Sequence, residues 1–195
     1  MFIDISLSMD KDTDIYPGDP HFEIKKVFTV KNNGFEVSSV SFGSHFSTHI
    51  DSPRHFFENG KDIASLPVDI FCGTAAVFDC GDNEFIDESF IKKRITGKFD
   101  MLLFKTKNKR CSLTVSGAKS IADCKIKLCG TQNDDIEPVY APEFPSHHIL
   151  LSKNIPILEN LCLENVDEGI YRLYCFPLRI SDCDASPVRA VLETL

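Results

Sequence analysis

Apolar and polar residues alternate over Phe2–Ser6, and this period of two predicts a strand at the start of the chain. Phe22–Val30 and Phe35–Phe42 read as two further strands. Lys31-Asn32-Asn33-Gly34 between them contains Asn-Gly, a hairpin signal. Upstream, Tyr16-Pro17-Gly18-Asp19-Pro20 predicts a loop, because proline fixes φ and glycine tolerates the turn. Gly73–Asp79 and Asp100–Thr106 are short apolar runs suited to buried strands. Asp87–Arg94 and Thr114–Asp123 are predicted helices, the second capped by Thr114 or Ser112. Ser146–Lys153 is a third, with Ser146 as its cap and Asn154 as a left-handed exit. Ile155–Leu163, Tyr171–Phe176 and Val188–Leu192 complete the list as C-terminal strands.

Strands thus outnumber helices, and hairpins mix with strand–helix–strand units. The pattern predicts an α/β fold, a mixed strand-rich sheet or partial barrel with peripheral helices, rather than a doubly wound sheet. No G-x-G-x-x-G and no Walker loop occurs, which removes the usual signatures of dinucleotide and P-loop chemistry. The 195 residues carry no repeat and no Ser/Gly linker, so one domain spanning 1–195 is expected.

Charge narrows the partners. Lys+Arg total 21 against 29 Asp+Glu, a net charge of -8, and such an acidic chain is poorly suited to nucleic acid or an anionic membrane surface. No apolar run approaches the ~20 residues of a membrane span. The N-terminal residues resemble no signal peptide, and the eight cysteines show no C-x-x-C spacing. Several lie in apolar runs such as Phe71-Cys72-Gly73. They are expected to be reduced thiols of a cytoplasmic protein rather than disulfides or a zinc–thiolate site.

Candidate chemistry concentrates in His45-Phe46-Ser47-Thr48-His49-Ile50-Asp51-Ser52-Pro53-Arg54-His55, which holds three of the six histidines. On a continuous helix His49 sits ~40° from His45, whereas Asp51 and His55 swing to about 240° and 280°. A straight strand shares one face among all four but separates His45 from Asp51 by roughly 20 Å. Convergence therefore requires a compact turn over 45–49 and a fold-back near Ser52-Pro53, which the small residues at 44, 47, 48 and 52 permit. His45, His49 and Asp51 would then offer two nitrogens and an oxygen to zinc or manganese, with a position left open for water. His55 beside them would supply an imidazole as the acid–base group. The competing interpretation is that these histidines share a surface loop by chance.

Later in the chain, Glu159 interrupts the apolar run Ile155-Pro156-Ile157-Leu158, and spacing alone favours a solvent-facing side chain there. Spacing also leaves open which of His147 and His148 is functional.

These segments together resemble the cyclase family of metal-dependent hydrolases, which includes bacterial kynurenine formamidases and isatin hydrolases. His45-x-Ser47-Thr48-His49-x-Asp51-x-Pro53-x-His55 is similar to the family's H-x-G-T-H-x-D-x-P-x-H signature. Phe2–Ser6 resembles its opening strand, Tyr16-Pro17-Gly18-Asp19 its W-P-G-D loop, and His147-His148-Ile149-Leu150-Leu151 its H-x-x-L-L helix. Ile157-Leu158-Glu159-Asn160-Leu161 resembles its I-x-E-N-L strand, and Asp184-Ala185-Ser186-Pro187-Val188-Arg189 its closing segment. Ser47 and Tyr16 stand where the family has Gly and Trp, and Gly130–Asp135 departs from its usual loop.

The resemblance implies a swivelling β/β/α fold, assembled as a homodimer or larger. It implies one divalent ion held by His45, His49 and Asp51, and a second held by Asp51, His147 and Glu159, with Asp51 bridging. Zinc is the first expectation and manganese the second. His55 corresponds to the catalytic acid–base histidine, and the interval to Glu159 selects His147 over its neighbour. The implied activity is hydrolysis of a small amide, N-formylkynurenine to kynurenine and formate. Another small amide, lactam or ester is the alternative substrate, and a non-catalytic metal- or ligand-binding protein is the alternative class.

Overall fold

A computed structural model of the chain describes residues 1–107, 111–138, 141 and 143–195. Its strands are β1 (Phe2–Asp4), β2 (Glu23–Phe28), β3 (Val37–Ser41), β4 (His49–Asp51), β5 (Cys72–Asp79), β6 (Phe85–Ile86) and β7 (Met101–Lys105). They continue as β8 (Ser112–Leu113), β9 (Leu128–Thr131), β10 (Ile157–Glu159), β11 (Gly169–Tyr174), β12 (Ala185–Pro187) and β13 (Val191–Thr194). The helices are α1 (Val30–Asn33), α2 (Glu88–Arg94), α3 (Val115–Ala122) and α4 (Pro145–Ser152). Nine strands form one sheet in the order β1-β13-β11-β5-β7-β9-β10-β4-β12. β5, β7, β9 and β10 run parallel, and the pairings towards both edges are antiparallel.

The sheet curls strongly into a half-barrel. The chain leaving β1 shows how: Ile5 N–H donates to Ala190 O just before β13, while Ile5 O accepts from Cys162 N–H just after β10. Residues near one edge of the sheet thus bond to the far side. Alternation along the strands divides the apolar residues between two cores. Ile50, Ala75, Val77, Met101, Leu103 and Leu158 fill the interior of the curl. Ala76, Phe78, Leu102, Phe104 and Ile157 face outwards, under a cover supplied by Ile91 of α2, Ala118 and Ile121 of α3, and Leu150 and Leu151 of α4. Both faces are therefore dry, which explains the near-continuous apolar runs of β5 and β7.

The expected architecture, a mixed strand-rich sheet with peripheral helices, is the one observed, and several boundaries move. The predicted hairpin exists as β2 and β3, but a helical turn, α1, closed by Gly34 at φ 80°, replaces a tight Asn-Gly turn. Thr114 caps α3, accepting from Gly117 N–H at 3.2 Å, whereas Ser112 belongs to β8. Ser146 does not cap α4. Phe144 precedes the helix in a left-handed conformation, Pro145 occupies the first turn, and the Ser146 hydroxyl donates instead to Leu113 O. Asn154 is left-handed, as expected, at φ 55°. The strand predicted over Ile155–Leu163 is only β10, because Asn160 turns left-handed at φ 58° and ends it.

Candidate metal centre

β4 and β10 are the two strands on which the site is built. Their antiparallel register sets Glu159 opposite His49 and Ile157 opposite Asp51. Ile50 and Leu158 point into the interior core, so His49, Asp51 and Glu159 point to the other face, where α4 lays His147 over them. This corrects the solvent-facing expectation for Glu159, which is only 4% exposed and accepts a hydrogen bond from Ile136 N–H at 2.8 Å. Register, not spacing along one strand, decides its face.

His45 reaches the same place through the compact turn that convergence requires. Phe46 N–H donates to Gly43 O, and Ser47 adopts φ 64°, the conformation that explains a glycine in the family signature. Here the Ser47 hydroxyl compensates by bonding Leu7 O or Ser8 O, at 3.1 and 3.3 Å. Ser52 is extended before Pro53, and the one-turn helix Pro53–His55 folds the chain back to present His55.

Three groups of ligand-type atoms result, each within 4.8 Å: His45, His49 and Asp51; Asp51, His147 and Glu159; and, less buried, His45, His55 and Asp184. Asp51 Oδ1 lies 2.9 Å from His45 Nδ1 and 3.3 Å from His49 Nε2, and Oδ2 lies 3.7 Å from His147 Nε2. Glu159 Oε2 is 3.6 Å from His49 Nε2, and Oε1 is 3.6 Å from His147 Nε2. Despite this crowding, His49 Nε2 and both Asp51 oxygens are buried without an aligned hydrogen-bond partner. Buried polar atoms are seldom left so. Nitrogen and carboxylate donors converging with unused lone pairs fit a borderline dication such as zinc.

Electrostatics agree. Burial opposes charge on His45, but Asp51 and Asp184 outweigh it and push the imidazole up to about 10. Burial likewise opposes charge on His147, yet Asp51, Glu137 and Glu159 hold it well above the usual range. Asp51 resists its own burial because His45, His147 and His49 hold its carboxyl well below normal. The carboxylates favour positive charge at the positions where a cation would sit.

Sequence reasoning missed Glu137. Its Oε1 accepts His147 N–H at 2.9 Å and lies 3.3 Å from Nδ1 of the same ring. Glu137 sits in an aperiodic acidic stretch with no signal that it meets a histidine ten residues on. His148, by contrast, packs edge-on against Phe56 and Phe57.

The groups form the floor of a cavity of about 650 Å³, a volume suited to a small molecule. Phe56 and Phe144, 5.5 Å apart between ring centres, and Tyr16 supply aromatic wall. His55 lines the same space, with its ring centre 4.2 Å from that of His45.

The curled half-barrel carrying a buried His/Asp/Glu centre is shared with solved structures described as metal-dependent hydrolases. The family model described as "Putative cyclase" matches residues 3–138, and the chain belongs to that family. A kynurenine formamidase from Salinibacter ruber (strain DSM 13855 / M31) is 34% identical over 207 residues, covering 98% of this chain and 96% of that protein. A solved structure described as a predicted metal-dependent hydrolase from Bacillus stearothermophilus gives a TM-score of 0.85 at 27% identity, covering 98% and 97% of the two chains. Isatin hydrolase A from Labrenzia aggregata shares the fold, with a TM-score of 0.84 at 19% identity over 98% and 93%. Among the described residues no helix is long and apolar enough to cross a membrane.

Proposed function

We propose that this protein is a metal-dependent hydrolase of a small amide, with N-formylkynurenine, cleaved to kynurenine and formate, as its first substrate. One observation carries the reading: Asp51, 1% exposed, has both oxygens buried without an aligned hydrogen-bond partner at the junction of two ligand clusters that line a cavity. The kynurenine formamidase relative at 34% identity over nearly the whole chain supports the substrate.

His45, His49 and Asp51 would hold one cation, and Asp51, His147 and Glu159 the other, zinc before manganese. When bound, such dications supply Lewis acidity, lowering the pKa of water and polarising a carbonyl. The remaining work belongs to the chain. Phe56, Phe144 and Tyr16 offer flat apolar surface to an aryl ring. Water adds to the formyl carbon, the C–N bond breaks, and the departing nitrogen must gain a proton. His55 would carry it, taking the proton that the water loses and passing it to the nitrogen: its Nδ1 faces Asp184 Oδ2 at 3.4 Å, which leaves Nε2 to exchange with water and substrate.

A homodimer is the proposed assembly. The β2–β3 ribbon lies outside the main sheet with Ile24, Val27 and Val40 exposed, and a lone two-stranded ribbon is marginal in water. Cytoplasmic residence is proposed as well, where reducing conditions suit the buried Cys80, Cys111, Cys129 and Cys175.

The test is formate release from N-formylkynurenine before chelation, after it, and after zinc is restored. The expected result is activity that chelation removes and zinc returns. Metal-loaded protein inert towards formamides, isatin-type lactams and esters alike would leave a binding module instead.

A further inference from the structure

We propose that Asp184 is a positioning residue that sets one carboxylate against two imidazoles, fixing the metal-facing edge of His45 and the proton-carrying edge of His55. The inference rests on the reading of His45 as a ligand and His55 as the acid–base group, and extends it to a residue outside the two clusters that share Asp51.

Asp184 Oδ2 lies 2.8 Å from His45 Nε2 and 3.4 Å from His55 Nδ1. The carboxylate is not free to turn, because the Ser44 hydroxyl donates to Oδ1 at 2.9 Å. Its backbone is anchored too: Asp184 O accepts Ser52 N–H at 2.8 Å and the Ser52 hydroxyl at 2.7 Å. Ser52 joins Asp51 to the Pro53–His55 turn, so residue 184 is strapped to the segment carrying both the shared carboxylate and His55.

The chemistry follows from the two nitrogens of each ring. An imidazole that donates Nε2–H to a carboxylate presents an Nδ1 lone pair, and His45 Nδ1 is the atom turned towards Asp51 Oδ1 at 2.9 Å. His55 has the opposite arrangement, with Nδ1–H towards Asp184 and Nε2 left for the substrate. A carboxylate behind a ligating histidine fixes its tautomer and raises its basicity. A single oxygen serving both rings ties the orientation of a metal ligand to that of the proton donor.

The experiment compares wild type, Asp184→Asn, His55→Ala and the double variant, with circular dichroism and thermal midpoint confirming that each is folded. Zinc affinity is read first, without substrate, by competition with a chromophoric chelator. Asp184→Asn should bind zinc about 10–100-fold more weakly, in the wild-type and His55→Ala backgrounds alike, with unchanged stoichiometry. Unchanged affinity overturns the link to His45. Loss of a whole ion overturns positioning, because His45, His55 and Asp184 could themselves form a cation cluster and Asp184 would then be a ligand.

Turnover at saturating zinc is read second. Asp184→Asn should lower kcat about 10–100-fold with little change in KM, and the double variant should fall within about twofold of His55→Ala alone. Losses that multiply would overturn the link to His55. Ser44→Ala, which keeps the carboxylate but frees its rotation, should shift both readouts the same way by a smaller factor. Protein that takes up zinc but hydrolyses no formamide would sink the substrate assignment and leave the zinc comparison standing. Protein that takes up no zinc overturns both.

Discussion

Asp51 Oδ2 lies 3.7 Å from His147 Nε2, although the two residues belong to distant parts of the chain, one on β4 and the other on α4. Asp51 Oδ1 faces the opposite way, towards His45 and His49. One fully buried carboxylate therefore serves two imidazole groups, and its removal cannot affect only one of them.

Asp51→Ala is accordingly expected to abolish binding of both ions, not one, and to bring hydrolysis below detection. Elemental analysis after gel filtration against zinc-buffered solution checks it. Retention of two ions per chain would refute the shared role.

His55→Ala separates binding from chemistry. His55 lines the cavity, touches Asp184 and belongs to neither cluster that includes Asp51. We expect kcat to fall by about 10²–10⁴-fold, the usual worth of a positioned acid–base group, with metal content unchanged. Loss of an ion in this variant would reassign His55 as a ligand.

Glu137→Gln probes the support behind His147. The amide keeps the shape and an acceptor for His147 N–H but loses the charge facing Nδ1. Zinc affinity should fall by about 10–100-fold, read by chelator competition, while the thermal midpoint of the zinc-free protein changes little. An unaltered affinity would show that Glu137 serves only the start of α4.

Zinc should also stabilise the protein. At a free concentration of a hundred times Kd, a ligand bound only by the folded state contributes about 2.7 kcal/mol. A thermal midpoint that rises with zinc and falls with chelator is expected, and a midpoint indifferent to both would count against a site at Asp51.

The sequence made some of this legible for identifiable reasons. β5 and β7 show because their faces are both dry, leaving runs with few polar breaks. β4 does not show: its three residues are His-Ile-Asp, and two of them are polar because they face the site. Alternation places Leu158 and Glu159 on opposite sides of β10, but it cannot say that α4 covers the second side. That fact arises from register with β4 and from a helix nearby in space. Ser146 misleads for a related reason. A serine at a helix start looks like a cap, yet Pro145 has already begun the helix and the hydroxyl is used across the outer core by Leu113. The clustered histidines announce a site, whereas Glu137 carries no local signature, and Asp184 shows only as the start of the closing segment, with nothing to say that it faces His45 and His55.

Gly117→Ala gives the fold its own test. Helix propensity favours alanine over glycine by about 1 kcal/mol, so an isolated α3 would gain from the change. In the protein, a Cβ at 117 would run into the carbonyl of Ile86, which already accepts Thr114 N–H at 3.1 Å and the Thr114 hydroxyl at 3.2 Å. A backbone group held by the β6–β8 pairing cannot swing aside as a side chain could. We expect overpacking to outweigh propensity, with a net loss of about 1–3 kcal/mol and a lowered thermal midpoint. Gly97→Ala is the control, since its Cβ would meet only the Phe99 ring at an ordinary 3.6 Å. If Gly117→Ala proved as stable as Gly97→Ala, α3 would not sit against β6 as closely as described.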